Sequence, residues 1–313
     1  MAWEELLDRD MAQQLPGMEV LREEPMRRHT SFRVGGPAKR MAFPRTGGEM
    51  VLLHELARKH GARPLVIGNG TNLLCPDKGL DRLVICTEAM NAVEAGREEH
   101  TMTVQAGASL RKAAEYACRA GLAGLEFAHG IPGTLGGGVC MNAGAYGGEM
   151  TQVLVSADVL LPGGNVKTLG AEDLHPGYRH SLLMEMPDAV VLSAVVRLNP
   201  GVETEIRGRM RDLMDRRRKS QPLEYPSAGS AFKRPAGHYA GGLIDQCGLK
   251  GLSMGGAQVS EKHAGFLINR GGATFADVTG LIREVQRRVL DQTGVMLEPE
   301  IRILWEQDSG ADA

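Results

Sequence analysis

The sequence predicts a protein of mixed helices and strands with at least two domains. Segments with helical spacing alternate with short apolar strands along 313 residues, and a chain of this length exceeds the usual size of one domain. The opening region reads β-α-β, with a strand near 38–43, an amphipathic helix at 48–60 and a strand at 64–67. The hydrophobic fraction of 42% is sufficient for sizeable cores.

The other elements follow in chain order. Residues 1–24 read as a helix followed by a turn, 82–86 and 101–106 as strands, and Ser109 as the N-cap of a helix over 110–120 that Gly121 ends. Strands are expected at 153–161 and 190–198. A charged helix over 203–219 leads to a second region, with helices predicted at 240–248 and 274–292 and strands at 264–269 and 295–305.

The composition excludes several classes of partner. A formal net charge of −2 gives no electrostatic basis for binding nucleic acid or an anionic membrane, and an aromatic fraction of 4% argues against a stacking platform for single strands. The odd number of cysteines and the lack of a C-x-x-C motif are typical of free thiols in a reducing compartment. No Cys/His cluster has the spacing of metal ligands, so no metal site is expected.

The sequence also predicts a cytoplasmic location. The N-terminus MAWEELLDRD is acidic and amphipathic, which is unlike a signal peptide. No apolar run approaches the ~20 residues that a membrane span requires.

Two glycine-rich stretches indicate a binding region: GLEFAHGIPGTLGGGVCMNAGAYGGE at 124–149 and PLVIGNGTNLL at 64–74. Because glycine loses the most backbone freedom on folding, this density suggests that phosphates, a flat ring or a second backbone lie against the main chain. Apolar residues such as Ile131 and Val139 favour an ordered loop over a flexible linker. Asn and Thr donors in both stretches favour a bound dinucleotide, although Leu73 breaks the G-x-G-x-x-G pattern.

Three polar residues outside these stretches are candidates for chemistry. Arg179 lies in a Tyr-Arg-His-Ser loop, Ser230 in a turn, and Glu300 in an apolar strand, where a carboxylate needs a partner or a task. Each also has a structural interpretation. Arg179 could form a surface ion pair, Ser230 could shape the turn, and Glu300 could be an edge-strand charge.

Together these motifs resemble the UDP-N-acetylenolpyruvoylglucosamine reductase (MurB) family of flavin enzymes. The resemblance runs from about residue 30 to residue 305, and it is carried in order by TSFRVGGPA, IGNGTNLL, GIPGTLGGGVCMNAGAYGGE, YRHS, AGSAFKRP, GGLIDQCGLKG and LEPEIRIL. It implies a vanillyl-alcohol-oxidase-type FAD-binding fold of two α+β subdomains, followed by an α+β substrate-binding domain. The implied domains are an N-terminal helical extension at 1–29, the FAD-binding domain at 30–200, the substrate-binding domain at 201–306 and a disordered tail at 307–313.

The resemblance also implies an activity. NADPH would reduce noncovalent FAD and leave, and enolpyruvyl-UDP-N-acetylglucosamine would then be reduced to UDP-N-acetylmuramate for peptidoglycan synthesis. Arg179 would stabilise the enolate-like charge that hydride addition leaves, and Ser230 would donate the proton. Glu300 would orient the carboxylate end of the substrate or stabilise the protonated intermediate.

The implied ligand contacts fall on the same motifs. Substrate would meet Lys233, Arg234, Lys250 and His263. The short spacing after Ser230 resembles a second class of the family that lacks a loop tyrosine over the substrate. The partners would be small molecules, and we expect a monomer. The residues expected to bind FAD are Gly68, Asn69, Gly70, Thr71, Asn72, Leu73, Gly107, Gly133, Thr134, Gly136, Gly137, Asn142, Gly144, Ala145 and Tyr146.

Two alternatives remain open from the sequence. One is another flavoprotein of the same fold, with the flavin attached covalently through His129. The other is a non-catalytic nucleotide-binding module, which would lack the combination of Arg179, Ser230 and Glu300.

Overall fold

A computed structural model describes residues 2–186 and 188–305. The chain forms two compact units that are interleaved in sequence. Unit 1 contains the residues up to Arg22, Arg40–Asn69 and Arg82–Arg216, and unit 2 contains Glu23–Lys39, Gly70–Asp81 and the residues from Arg217 onward. The domain boundaries inferred from the sequence stay a prediction, and the tail predicted at 307–313 lies outside the described residues.

The helices and strands follow most of the sequence patterns. In the described ranges, no helix has the length and apolar composition that a bilayer crossing requires. The α-helices are α1 Trp3–Gln14, α2 Gly47–Lys59, α3 Leu110–Arg119, α4 Leu135–Cys140, α5 Glu203–Ser220, α6 Ala240–Gln246 and α7 Phe275–Thr293. The strands are β1 Glu19–Pro25, β2 Pro37–Phe43, β3 Leu65–Ile67, β4 Leu73–Leu74, β5 Leu80–Cys86, β6 Val93–Ala95, β7 Thr101–Gln105, β8 Leu122–Ala123, β9 Gly144–Ala145, β10 Gly148–Glu149, β11 Leu154–Leu160, β12 Val166–Gly170, β13 Val190–Arg197, β14 Asn199–Pro200, β15 Ser227–Ser230, β16 Ser253–Met254, β17 Ala257–Val259, β18 Phe266–Asn269 and β19 Arg302–Ile303.

Unit 1 is built mainly on two sheets. The first has the order β1-β2-β5-β3, with β3 parallel to β5, and it includes the predicted β-α-β opening. The second is antiparallel, with the order β12-β11-β13-β7-β6. Buried side chains of α2, such as Leu53, share a core with Ile85 of the first sheet, and those of α3, such as Leu110, share a core with Val104 of the second.

Unit 2 centres on an antiparallel sheet with the order β15-β18-β17-β16. The inward face of α7, including Val278 and Ile282, packs in one core with Leu267 of β18. Thr274 caps α7 by accepting a hydrogen bond from Asp277 N at 3.1 Å, which confirms the predicted helix start. A second pairing in this unit joins β19 and β4 in parallel.

Three segments differ from their predicted structure. The N-terminal region contains the expected helix α1, but residues 19–25 form the strand β1. Residues 135–140 of the long glycine-rich stretch form the helix α4, although their sequence has no helical period. The strand predicted at 295–305 is limited to Arg302–Ile303, although an isolated bridge pairs Pro299 with Phe232.

Candidate active site

The two glycine-rich stretches meet in unit 1 at Gly68 and Thr134. A Cβ atom added to Gly68 would lie 2.2 Å from Thr134 Oγ1, so the two segments are in direct contact. The loop after β7 joins them, since Gly136 N donates to Ala106 O at 2.8 Å. The structure therefore brings together Gly68, Gly107 and residues 133–137, which the sequence assigned to one ligand.

Neighbouring protein atoms account for several of these glycines. A Cβ atom on Gly107 would lie 1.7 Å from Thr87 O, and one on Gly148 would lie 2.5 Å from the Phe127 ring. Of the three explanations that the sequence left open, close approach of another part of the chain applies at these positions. Gly137 differs, because it is exposed and its nearest neighbour would be 3.7 Å away.

Main-chain N–H groups supply the donors for an anionic ligand. In unit 1, the N–H groups of Gly133 and Thr134 donate to no acceptor within residues 2–186 and 188–305, although Thr134 is only 2% exposed. In unit 2, the same is true of Gly70 and Thr71, and Gly70 has a φ of +56°. Because buried N–H groups are normally paired, each of these segments, taken by itself, fits the phosphate oxygens of a nucleotide ligand.

The other predicted FAD residues lie near these segments in sequence, and they differ in secondary structure and in burial. Ala145 and Tyr146 belong to the β9–β10 hairpin, where Tyr146 has a φ of +54° and is 45% exposed. Asn69 follows β3 and Leu73 begins β4. The Asn142 side chain is buried, with 4% exposure.

Arg179 lies in a tight turn of unit 1. Gly177 and His180 exchange main-chain hydrogen bonds of 3.0 and 3.3 Å, which leaves Tyr178 and Arg179 at the two central positions. Arg179 has a φ of +54°, a conformation for which turns favour Gly or Asn at this position. Its Nη2 donates to Gly144 O at 2.9 Å. A predicted catalytic residue and a predicted FAD residue are thus in contact.

Ser230 and Glu300 lie on adjacent segments of unit 2. Ser230 ends β15 opposite Phe266 of β18, and its side chain is exposed. Glu300 is half-buried, and its N–H donates to Ala231 O at 2.8 Å. Asn72 Nδ2 donates to Glu300 O at 3.0 Å. These hydrogen bonds therefore bring the main chain of Glu300 next to the residue after Ser230 and next to the side chain of Asn72, one of the predicted FAD residues.

Two of the predicted substrate residues follow Ser230 closely. Lys233 forms an ion pair with Glu298. The Arg234 guanidinium lies 4.0 Å from the centre of the Tyr239 ring, and Tyr239 is 68% exposed. Both cationic groups are therefore held at the surface of unit 2 by a side-chain partner.

The other two predicted substrate residues, Lys250 and His263, carry different charges. Lys250 Nζ lies 2.6 Å from Asp245 Oδ2. Burial lowers the pKa of His263, and the charge of Lys250 acts in the same direction. His263 Nδ1 accepts a hydrogen bond from Gly265 N at 3.1 Å, so His263 is neutral at pH ~7.

The structure adds two residues that the sequence did not indicate. Ser181 is 1% exposed, and its Oγ donates to Cys140 O at 2.6 Å. Thr151 donates through both N and Oγ1 to Asn142 Oδ1, at 3.0 and 2.7 Å. The YRHS motif contains Ser181 and could have suggested it. No local pattern marks Thr151, because its partner lies in another turn.

Comparison with known proteins first defines the class of protein to which the chain belongs. The family model described as "FAD binding domain" matches residues 38–170, and the chain is an FAD-binding protein with the α+β flavin fold that the sequence predicts. The family model of the C-terminal domain of UDP-N-acetylenolpyruvoylglucosamine reductase matches residues 221–304. The two models thus cover both glycine-rich stretches and the region from Gln221 to Leu304.

Whole-chain relatives then define the family. The chain is similar to UDP-N-acetylenolpyruvoylglucosamine reductase of Agathobacter rectalis, with 48% identity over 309 residues, 95% of this chain and 98% of the relative. The enzyme of Limosilactobacillus reuteri is 46% identical over 96% of this chain and 99% of the relative. The crystal structure of MurB from Thermus caldophilus superposes with a TM-score of 0.77 at 37% identity, over 92% of this chain and 99% of that one. The chain belongs to the UDP-N-acetylenolpyruvoylglucosamine reductase family, which confirms the predicted resemblance and decides against both alternatives.

Proposed function

We propose that Arg179, Ser230 and Glu300 are the catalytic residues of this protein. As a member of its family, it is an FAD-dependent oxidoreductase that uses NADPH to reduce enolpyruvyl-UDP-N-acetylglucosamine to UDP-N-acetylmuramate in peptidoglycan synthesis. The observation that best supports the residue assignment is the pairing of Glu300 N with Ala231 O, because it brings the main chain of Glu300 next to the residue that follows Ser230.

The main-chain donors described above would hold the cofactor. Gly133 and Thr134 of unit 1 would donate to its pyrophosphate, since their N–H groups have no acceptor in the described ranges. Gly70 and Thr71, whose N–H groups also have no acceptor there, are the FAD contacts that we propose for unit 2. When bound, FAD would supply the hydride chemistry between NADPH and the terminal alkene carbon of the enolpyruvyl group.

Arg179 stabilises the negative charge that hydride addition leaves on the substrate. This charge is delocalised onto the substrate carboxylate, and a planar guanidinium offers two parallel donors to such a group. The hydrogen bond to Gly144 O fixes the position of the guanidinium. Little reorganisation is then needed when the charge forms.

Ser230 donates a proton to the carbon next to the site of hydride addition. A serine hydroxyl is a weak acid, so a charged neighbour must polarise it, and Lys250 is the cation that we assign to this role. Glu300 orients the carboxylate end of the substrate or stabilises the protonated intermediate. The exposed side chain of Ser230 can meet a substrate from solution.

The test is to separate the two half-reactions of Ser230→Ala by stopped-flow absorbance. Flavin reduction by NADPH needs no proton from Ser230 and should keep nearly the wild-type rate. Reoxidation by the enolpyruvyl substrate should slow by roughly 10²- to 10⁴-fold, the usual contribution of general acid catalysis. Ser230→Cys should retain part of the rate, because a thiol is a proton donor of similar size. Equal slowing of both half-reactions, or of neither, would show that Ser230 only shapes the strand end.

Three finer assignments belong to the same proposal. Lys233, Arg234, Lys250 and His263 bind the substrate, and residues 30–200 and 201–306 form the FAD-binding and substrate-binding domains. The protein works in the cytoplasm, where NADPH and nucleotide sugars are available and where its five free thiols stay reduced. Its action as a monomer stays a prediction.

A further inference from the structure

We propose that Asn142 is a positioning residue for Arg179. Its buried carboxamide fixes the turn that carries the guanidinium. This inference rests on the charge-stabilising role proposed above for Arg179. In this proposal, the Asn142 side chain acts by binding other residues of the protein. This role is distinct from the contact with FAD that the sequence predicts.

The hydrogen bonds of Asn142 account for most of its capacity. Nδ2 donates to Gly177 O at 3.1 Å, and Oδ1 accepts from Thr151 N at 3.0 Å and from Thr151 Oγ1 at 2.7 Å. A carboxamide has two donors and two acceptor sites, so three of the four are used. With 4% exposure, the side chain is committed to these partners.

Hydrogen bonds hold the turn at both ends to the last residue of α4 and to the segment that follows it. Asn142 binds Gly177 at its start, and Ser181 Oγ donates to Cys140 O at its end. Between these ties, Arg179 holds a φ of +54°. A non-glycine residue keeps such a conformation only where its surroundings over-determine it. The two ties supply that constraint.

The consequence for catalysis concerns one half-reaction. A charge-stabilising group must lie close to where the charge forms, and a misplacement of ~1 Å can cost about 100-fold in rate. The carboxylate that Arg179 faces belongs to the enolpyruvyl substrate. Loss of the Asn142 tie should therefore affect flavin reoxidation and leave flavin reduction by NADPH intact.

The test uses Asn142→Asp in the FAD-loaded enzyme. Asp keeps the size of the side chain, tolerates positive φ and still accepts from Thr151, but its ionised form cannot donate to Gly177 O. Reoxidation by the enolpyruvyl substrate should slow about 10- to 100-fold. The rate of flavin reduction and the Kd for FAD, measured by fluorescence titration of the apoprotein, should change less than about twofold.

A pH profile supplies a readout that a purely structural role would not move. Below the pKa of the introduced carboxyl, its O–H can donate to Gly177 O. The reoxidation defect of Asn142→Asp relative to wild type should therefore shrink as pH falls. A defect that is constant across pH would overturn the proposal.

Matched variants separate this proposal from the proposed function. Asn199→Asp makes the same chemical change at an exposed position and should alter neither half-reaction. Arg179→Ala should slow reoxidation strongly, and if it does not, the proposed role of Arg179 is wrong. In the double variant Asn142→Asp/Arg179→Ala, reoxidation should be no slower than in Arg179→Ala alone, because Asn142 acts through Arg179.

Two results would overturn the role of Asn142 while leaving that of Arg179 intact. One is an unchanged reoxidation rate in Asn142→Asp. The other is equal slowing of both half-reactions with weaker FAD binding, which would make Asn142 a cofactor ligand. If Asn142→Asp does not fold, Ser181→Ala removes the second tie without a charge. It should slow reoxidation selectively, and an unchanged rate there would overturn the proposal.

Discussion

The Arg179 turn of unit 1 and the Ser230–Glu300 segment pair of unit 2 hold functional groups in different ways. Arg179 adopts a backbone conformation that favours glycine, and side-chain hydrogen bonds from Asn142 and Ser181 secure its turn. Ser230 and Glu300 are positioned by main-chain pairing. The difference indicates that the guanidinium of Arg179 is fixed by a strained backbone conformation. The residues Ser230 and Glu300 are held in place by ordinary strand pairing, without such strain.

The first prediction, which has the largest expected effect of the three in this comparison, concerns the replacement of Arg179. Arg179→Gly and Arg179→Ala both remove the guanidinium, and each should slow flavin reoxidation by about 10²- to 10³-fold, as expected for a lost charge-stabilising donor. Their stabilities should differ. Gly accepts the φ of +54° without steric cost, so Arg179→Gly should be more stable than Arg179→Ala by roughly 1–2 kcal/mol.

Urea unfolding followed by circular dichroism measures that difference. The pair is its own control, because both variants lack the same contacts and differ only in a Cβ atom. Equal midpoints would mean that the turn relaxes at no cost, and the contrast between the two units would then lose its basis.

Local signals in the sequence predicted the parts of the fold that depend on local interactions. Thr274 and Gly294 mark the two ends of α7 as expected from capping preferences, and Ser109 caps α3. The strand β1 was not predicted, because residues 19–25 lack a buried alternating face. The link between Asn142 and Gly177 could not be predicted either, since it joins residues 35 positions apart and no local pattern specifies such a contact.

The sequence motifs identified the candidate residues, but they did not explain why glycine is required at particular positions. The glycine-rich stretches left open whether a ligand or a second backbone lies against the main chain. At Gly107, which lies outside both stretches, the nearby Thr87 carbonyl requires the glycine. Gly229, next to Ser230, is required by a φ of +77°, and a Cβ atom there would meet nothing within 4 Å. These two causes, close approach and positive φ, cannot be separated from a sequence alone.

The second prediction compares those two glycines. Gly107→Ala forces a main-chain shift and should destabilise the protein by roughly 3 kcal/mol, the upper part of the overpacking range. Gly229→Ala should cost only about 1 kcal/mol, because only the φ is unfavourable. Thermal melts of the two variants measure the difference. FAD affinity should fall only for Gly107→Ala, and equal losses at both sites would contradict the distinction.

The third and smallest effect compares charged groups of the two units. Asp10 of unit 1 is 5% exposed, and its Oδ2 lies 2.7 Å from Lys59 Nζ and 2.9 Å from His60 Nε2. Hydrogen bonds from these two partners hold the pKa of Asp10 well below its ordinary value. In unit 2, Arg287 and Arg288 lower the pKa of Glu284 from 4.5 to about 2, although its side chain is 25% exposed.

Both carboxyl pKa values are lower in the folded state, so both groups stabilise the fold above their unfolded-state pKa and lose that contribution as pH falls. Asp10→Asn and Glu284→Gln should each lower the melting temperature at pH ~7, and the differences from wild type should shrink towards pH ~3. Added salt at about 1 M should remove most of the Glu284→Gln difference, because exposed pairs are screened, but less of the Asp10→Asn difference, because Asp10 and His60 are buried although Lys59 is exposed. Equal salt sensitivity of the two variants would mean that the Asp10 cluster is as well hydrated as the exposed pairs on α7.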